Sequence, residues 1–155
     1  MAETLASGPA RVRCREIMTT QVKTVTRETS IRDVAATMRE GDIGSLPVVE
    51  NNKLVGIVTD RDIVVRAVAE GRETSTPVGK IMTTEIFSVT SGDFVFEAIR
   101  LMGDKQVRRI PVVNDDGSLA GIIAMADVAL EMEDEREIAE TLEEISSGSS
   151  FWRKN

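Results

Sequence analysis

Ile17-Met18-Thr19-Thr20 returns as Ile81-Met82-Thr83-Thr84, Met38 as Met102, and Pro47-Val48-Val49 as Pro111-Val112-Val113, each 64 residues later. Beyond that point the displacement grows by one: Gly56-Ile57-Val58 matches Gly121-Ile122-Ile123, and Asp62 matches Asp127. The extra residue falls where Glu50-Asn51-Asn52-Lys53 faces Asn114 to Ser118, a polar stretch of the kind that surface turns tolerate. A self-match at one spacing means one supersecondary unit built twice, which limits the fold more than any local propensity does.

Each copy reads in the same order. A β-rich stretch, Val22 to Thr26 or Ile86 to Thr90, precedes a helix. In the first copy Ser30 caps that helix, Ile31, Val34, Ala35 and Met38 lie at helical spacing, and Gly41 ends it. In the second copy Val95, Ala98, Ile99 and Met102 repeat the stripe. A hairpin follows, Ser45 to Val49 with Leu54 to Val58, and then Arg109 to Val113 with Leu119 to Ala124. A second helix closes the unit, from Asp60 to Glu70 with Gly71 as its stop, and from Ala126 onward in the second copy. The expectation is an α+β fold of two β-α-β-β-α repeats packed sheet to sheet, because a unit of about 60 residues buries only a modest fraction of its surface and is marginal alone, whereas two share a core. The first repeat spans residues 11–71 and the linker with the second 72–132, between a disordered segment at 1–10 and an acidic helix with a flexible tail at 133–155.

Residue inventory removes whole classes of chemistry. With no histidine and one cysteine, Cys14, the chain has no His or Cys metal cage, no Ser-His-Asp or Cys-His unit and no internal disulfide. One tryptophan, four phenylalanines and no tyrosine leave few platforms for stacking single-stranded nucleic acid. The net charge of -7 resides in residues 131–144, EMEDEREIAETLEE, with eight acids and one base, so the remaining body is neutral and nucleic acid is a poor partner. No apolar run approaches the roughly 20 residues that span a bilayer, and the first ten residues lack the basic-then-apolar order of a signal peptide, so a cytoplasmic location is expected.

The I-M-T-T start of each copy, the L-P-V-V and I-P-V-V strands, and G-I-V-T-D-R-D with G-I-I-A-M-A-D at the last strand-to-helix turn resemble a tandem pair of CBS domains, or Bateman module, over about residues 12–132. The resemblance implies a non-catalytic regulatory module that requires no cofactor. It also implies adenosine-containing ligands, AMP, ADP, ATP, S-adenosylmethionine or NAD, in clefts between the repeats, and a homodimer that signals to an effector.

By resemblance, Thr59 and Asp62 hold the ribose hydroxyls, while Thr24, Val25, Ser45, Leu46 and Pro47 line the base slot. Their counterparts are Ser88, Val89, Arg109, Ile110, Pro111 and Asp127. Thr-x-x-Asp spacing also makes a helix cap, and the two roles can coexist. The second copy departs from the pattern, with Ala124 in place of Thr59. Arg108 and Arg109 stand where Gly44 and Ser45 stand, and successive strand residues point to opposite faces, so only one arginine can offer its fork of donors to a phosphate. Arg109, next to Ile110-Pro111, is the expected one; the plain alternative is surface pairing with Asp104 or Asp115.

Cys14 aligns with Val78 and reads as a small apolar filler, and the methionines read as core. In the acidic segment Met132, Ile138, Leu142 and Ile145 can form one helix edge, with Phe151 and Trp152 as an anchor beyond it. This segment supports a rival reading, a protein-interaction module with degenerate clefts that works through its acidic helix.

Overall fold

The computed structural model describes residues 12–131. The segment expected to be disordered, the acidic helix beyond Glu131, and Phe151 and Trp152 lie outside the described residues. Within them two compact bodies form. One holds residues 22–86 with 116–119; the other holds 12–21, 87–115 and 120–131.

In the first body α2 (Ile31–Gly41) starts where the Ser30 hydroxyl accepts from Asp33 N at 3.1 Å, and its apolar stripe buries Ile31, Val34 and Met38. The left-handed residue that ends it is Asp42, at φ 50°, one place after the glycine expected to stop it. Strands β1 (Ser45–Glu50) and β2 (Lys53–Thr59) pair antiparallel from Ser45↔Thr59 to Glu50↔Lys53, with an irregularity between Val48 and Val49. Asn51 and Asn52 both take positive φ, as a two-residue hairpin turn requires, and asparagine accepts that conformation more readily than most residues. The β-rich stretch expected at Val22 to Thr26 reduces to one parallel bridge, Val25 to Val48.

The helix after β2 also departs from expectation. It begins as a single α turn, α3 (Asp60–Asp62), and continues as a π-helix over Ile63–Val68, in which Ala69 N reaches Val64 O at 2.9 Å.

The second body repeats the plan. Strands β3 (Val89–Thr90), β4 (Arg109–Val113) and β5 (Leu119–Ala124) lie in that order, and β3 runs parallel to β4 with Val89 opposite Val112, the counterpart of Val25 opposite Val48. Helix α4 (Val95–Lys105) buries Val95, Ala98, Ile99 and Met102, and α5 (Met125–Glu131) follows β5, one residue earlier than the spacing indicated. Only Val89 and Thr90 of the expected β-rich stretch Ile86 to Thr90 form strand.

The bodies do not coincide with the repeats. Short helix α1 (Cys14–Ile17) opens the first repeat in sequence, yet Cys14 is fully buried among Val89, Val95, Ile110 and Val112 of the second. Thr19 and Ile122 exchange backbone hydrogen bonds at 2.9 and 3.0 Å. In the same way the lead-in to the second repeat belongs to the first body: Val78, Ile81 and Met82 join its core, and Thr83 exchanges bonds with Ile57 at 2.8 and 2.9 Å. Each lead-in fills an apolar gap in the core built by the other repeat's helix and hairpin, which the one-dimensional match cannot reveal.

Glycine is needed where each lead-in crosses the sheet. A Cβ on Gly56 would lie 2.6 Å from Met82 Sδ and 3.1 Å from Thr83 O, and one on Gly121 would lie 2.6 Å from Thr19 O.

Candidate functional site

Thr59 ends β2 and caps α3, and the strand-to-helix turn brings it against Asp62. Thr59 Oγ1 accepts from Asp62 N at 3.1 Å, while Thr59 N donates to Asp62 Oδ2 at 3.0 Å, so each residue satisfies the other's backbone donor. The capping alternative is therefore realised, and it anchors one carboxylate oxygen, Oδ2. Ser45 lies beside Thr59 through the β1–β2 register.

Two further residues meet Asp62. Thr83 Oγ1 lies 3.4 Å from both carboxylate oxygens, and Arg66 Nε lies 3.8 Å from Oδ1. Arg66 also donates through Nη1 to Ile81 O at 3.2 Å and to Met82 O at 3.3 Å. The Asp62 side chain is only 12% exposed. A carboxylate has roughly four acceptor positions, so these contacts orient it and still leave room for hydroxyl donors.

Sequence reasoning passed over both residues. Thr83 was visible as part of I-M-T-T but belongs, by its repeat, to the other copy; Arg66 stands four residues after Asp62, a spacing that places it one helical turn away.

The other expected residues of the first copy divide between surface and core. Thr24 is exposed, Ser45 half-buried, and Val25, Leu46 and Pro47 buried, with Val25 and Leu46 inside the core cluster. Val25 N donates to Pro47 O at 3.0 Å and Val49 N to Val25 O at 2.8 Å, so these stretches form one continuous edge.

In the second copy Asp127 Oδ2 accepts from Ala124 N at 3.0 Å, which reproduces half of the capping pair; Ala124 has no hydroxyl to return the bond. The backbone frame is otherwise the same: Met125 N donates to Arg108 O at 2.9 Å, as Asp60 N donates to Gly44 O at 2.9 Å. Ser88 is exposed and Val89, Ile110 and Pro111 are buried. Arg108 and Arg109 are both exposed, and neither forms an ion pair with Asp104, Asp115 or any other described residue.

Cys14 matches its filler reading. Burial, followed by the nearby charges of Asp93 and Glu97, pushes its thiol up to about 12, which leaves it neutral and unreactive at ordinary pH. Among the described residues no cluster of three or more His, Cys, Asp or Glu is placed to hold a metal ion, and no helix is long and apolar enough to cross a membrane.

Comparison with known proteins places this geometry. The CBS domain matches twice, at residues 14–68 and 78–134. The chain belongs to the CBS-domain family. As a CBS pair it is 41% identical over 116 residues to the CBS domain-containing protein YhcV of Bacillus subtilis, covering 75% of this chain and 82% of that one. Among solved structures it resembles CBSX2 in complex with AMP, with a TM-score of 0.69 and 28% identity over 77% of this chain and 94% of that one. It also resembles the CBS domain pair of protein MJ0100 in complex with 5'-methylthioadenosine and S-adenosyl-L-methionine, with a TM-score of 0.67 and 26% identity over the same shares. CBS pairs are regulatory modules, and those two neighbours carry adenosine compounds.

Proposed function

We propose that this CBS pair is a non-catalytic sensor of adenosine-containing ligands, AMP, ADP or ATP foremost, that acts as a homodimer on a separate effector. The observation that carries the reading is the Thr59–Asp62 pair. A nearly buried carboxylate, oriented by the cap and with acceptor positions to spare, suits the two hydroxyls of a vicinal diol. Two neighbours of the same fold, solved with adenosine compounds, support the ligand class.

In this reading the ribose hydroxyls donate to Asp62 in the first copy. The side chains of Val25 and Leu46 belong to the core, so the base rests against the backbone edge from Val25 to Pro47 and against Thr24 and Ser45. In the second copy Asp127 remains as the diol acceptor beside Ser88, Val89, Ile110 and Pro111, and Arg108 or Arg109, both unpaired among the described residues, supplies donors for phosphate.

The dimer reading rests on the second helix of the first copy. Val64, Val65 and Val68 are 59%, 47% and 70% exposed after β2, and Leu130, the counterpart of Val65, is 85% exposed after β5. The three exposed valines on one helix suit the same helix of a second copy, which would meet them with the same residues.

Calorimetric titration of nucleotide-stripped protein with AMP, ADP, ATP, S-adenosylmethionine and NAD, repeated on Asp62→Asn and Asp127→Asn, tests the ligand. Saturable binding lost in one variant is expected. If no ligand releases heat at two temperatures and none raises the melting temperature, the sensor reading fails, because a ligand of the native state must stabilise it. Sedimentation velocity tests the dimer, and a monomer at all concentrations removes it.

A further inference from the structure

The carboxylates of the two copies are differently supported, and the difference lies in residues that do not themselves need to touch a ligand. Asp62 is approached by the Thr83 hydroxyl and by the Arg66 guanidinium. Arg66 is tied in turn to Ile81 O and Met82 O, the residues that lead directly into Thr83. The three side chains therefore form one closed arrangement on the lead-in segment, and that segment is independently fixed by the backbone exchange between Thr83 and Ile57.

In the second copy Thr19 takes the place of Thr83 opposite Ile122, but no side-chain hydroxyl of a described residue bonds to Asp127. Arg66 is replaced by Glu131, which puts a like charge four residues after the carboxylate instead of an opposite one.

We infer that Thr83 and Arg66 are positioning residues for Asp62, which make the first copy the edge that discriminates a ribose from a deoxyribose. The chemistry follows from the acceptor's geometry. A carboxylate held at both oxygens meets both hydroxyls of a vicinal diol in one pose, whereas one anchored through Oδ2 alone, as Asp127 is, keeps freedom that it loses on binding and rewards the second hydroxyl less. Arg66 holds the orientation from the outside while Thr83 holds it from within the sheet, and neither contact requires the ligand. Discrimination arises because a deoxy ligand leaves a desolvated, oriented acceptor without its donor. This inference rests on the adenosine reading above and extends it to two residues outside the Thr-x-x-Asp motif.

The test compares AMP with 2'-deoxy-AMP, titrated calorimetrically into the intact protein and into Thr83→Val, Thr83→Ser and Arg66→Gln. Thr83→Val keeps shape and the backbone bonds to Ile57, and Arg66 is half exposed, so neither change removes core packing. The intact protein is expected to prefer AMP by about tenfold or more, the value of one hydrogen bond to a charged group. Thr83→Val and Arg66→Gln should each cut that preference by roughly threefold or more while leaving 2'-deoxy-AMP affinity within about twofold, and Thr83→Ser should restore it. A merely structural role would weaken both ligands together, and that result overturns the inference, as does an undiminished preference in both variants. If the intact protein binds neither ligand, the adenosine reading and this inference fall together; if it binds with a preference that the variants do not change, only this inference falls.

Discussion

The two copies share a backbone frame and differ in how they finish it. At the strand-to-helix turn the main-chain bond from residue 60 or 125 to the carbonyl of residue 44 or 108 has the same length in both copies. Around that bond the first copy places Thr59, Thr83 and Arg66 on its aspartate, and the second places Ala124 and Glu131 near its own. A duplicated scaffold thus keeps the acceptor fixed while its support diverges. The first copy has the better supported carboxylate, and the second has the exposed pair Arg108 and Arg109.

The largest effect expected from this comparison lies where the lead-ins cross. Gly121→Ala forces a methyl group to 2.6 Å from the backbone oxygen of Thr19, so a strand or the lead-in itself must shift. Gly56→Ala meets Met82 Sδ at the same distance, but a methionine side chain can turn away, leaving a contact of 3.1 Å with Thr83 O. We expect Gly121→Ala to lower stability by about 3 kcal/mol and Gly56→Ala by about 1 kcal/mol, the range for overpacking at rigid and yielding sites. Urea unfolding of both variants checks the order, and equal losses would show that the methionine is as unyielding as the main chain.

Much of this architecture was legible because it repeats. The helix stripes bury Ile31, Val34, Met38 and Val95, Ala98, Ile99, Met102 as their spacing indicated, whereas Ala35, placed on the first stripe, is exposed; strands Arg109–Val113 and Leu119–Ala124 have the bounds that the Asn114 to Ser118 turn indicated. What stayed hidden was non-local. A match at fixed displacement says that Thr19 and Thr83 are equivalent, but not that each serves the other repeat's sheet. Residues 63–68 carry no proline or glycine that would mark a π-helix, and their valines fit an α-helix equally well. The Thr59–Asp62 pair was visible in the motif, whereas its two supports became visible only once Ile81 to Thr83 came to lie beside it.

A smaller effect sharpens the same contrast. Ala124→Thr should supply the missing half of the cap in the second copy, with the new hydroxyl accepting from Asp127 N as Thr59 Oγ1 accepts from Asp62 N. Ala124 is partly exposed, so a hydroxyl and methyl there need displace little. A gain of about 0.5–1 kcal/mol in unfolding free energy is expected, the usual value of a Thr cap over alanine. A loss would mean that the second turn, despite its matching backbone bond, cannot accept the reciprocal pair.

The smallest effect concerns Cys14 and Val78, which fill equivalent places in the two cores and are both fully buried. The valine has no charge to gain, whereas the thiol is held neutral by burial and by Asp93 and Glu97, with its pKa raised from 9.0 to about 12. A pKa raised in the folded state means that the unfolded chain releases the proton first. The thiol's contribution is complete below pH 9 and is lost progressively as pH climbs toward 12. At pH 9 the loss is only about 0.4 kcal/mol, because half of the unfolded chains are then ionised. With no tyrosine in the chain, lysines and arginines are the main other alkaline groups, and they are common to the intact protein and Cys14→Val. Urea midpoints measured from pH 8 to 10 should therefore fall more steeply for the intact protein than for the variant. Parallel curves would show that Cys14 ionises in the core as easily as in water, and the equivalence of the two core positions would then fail at its only titratable member.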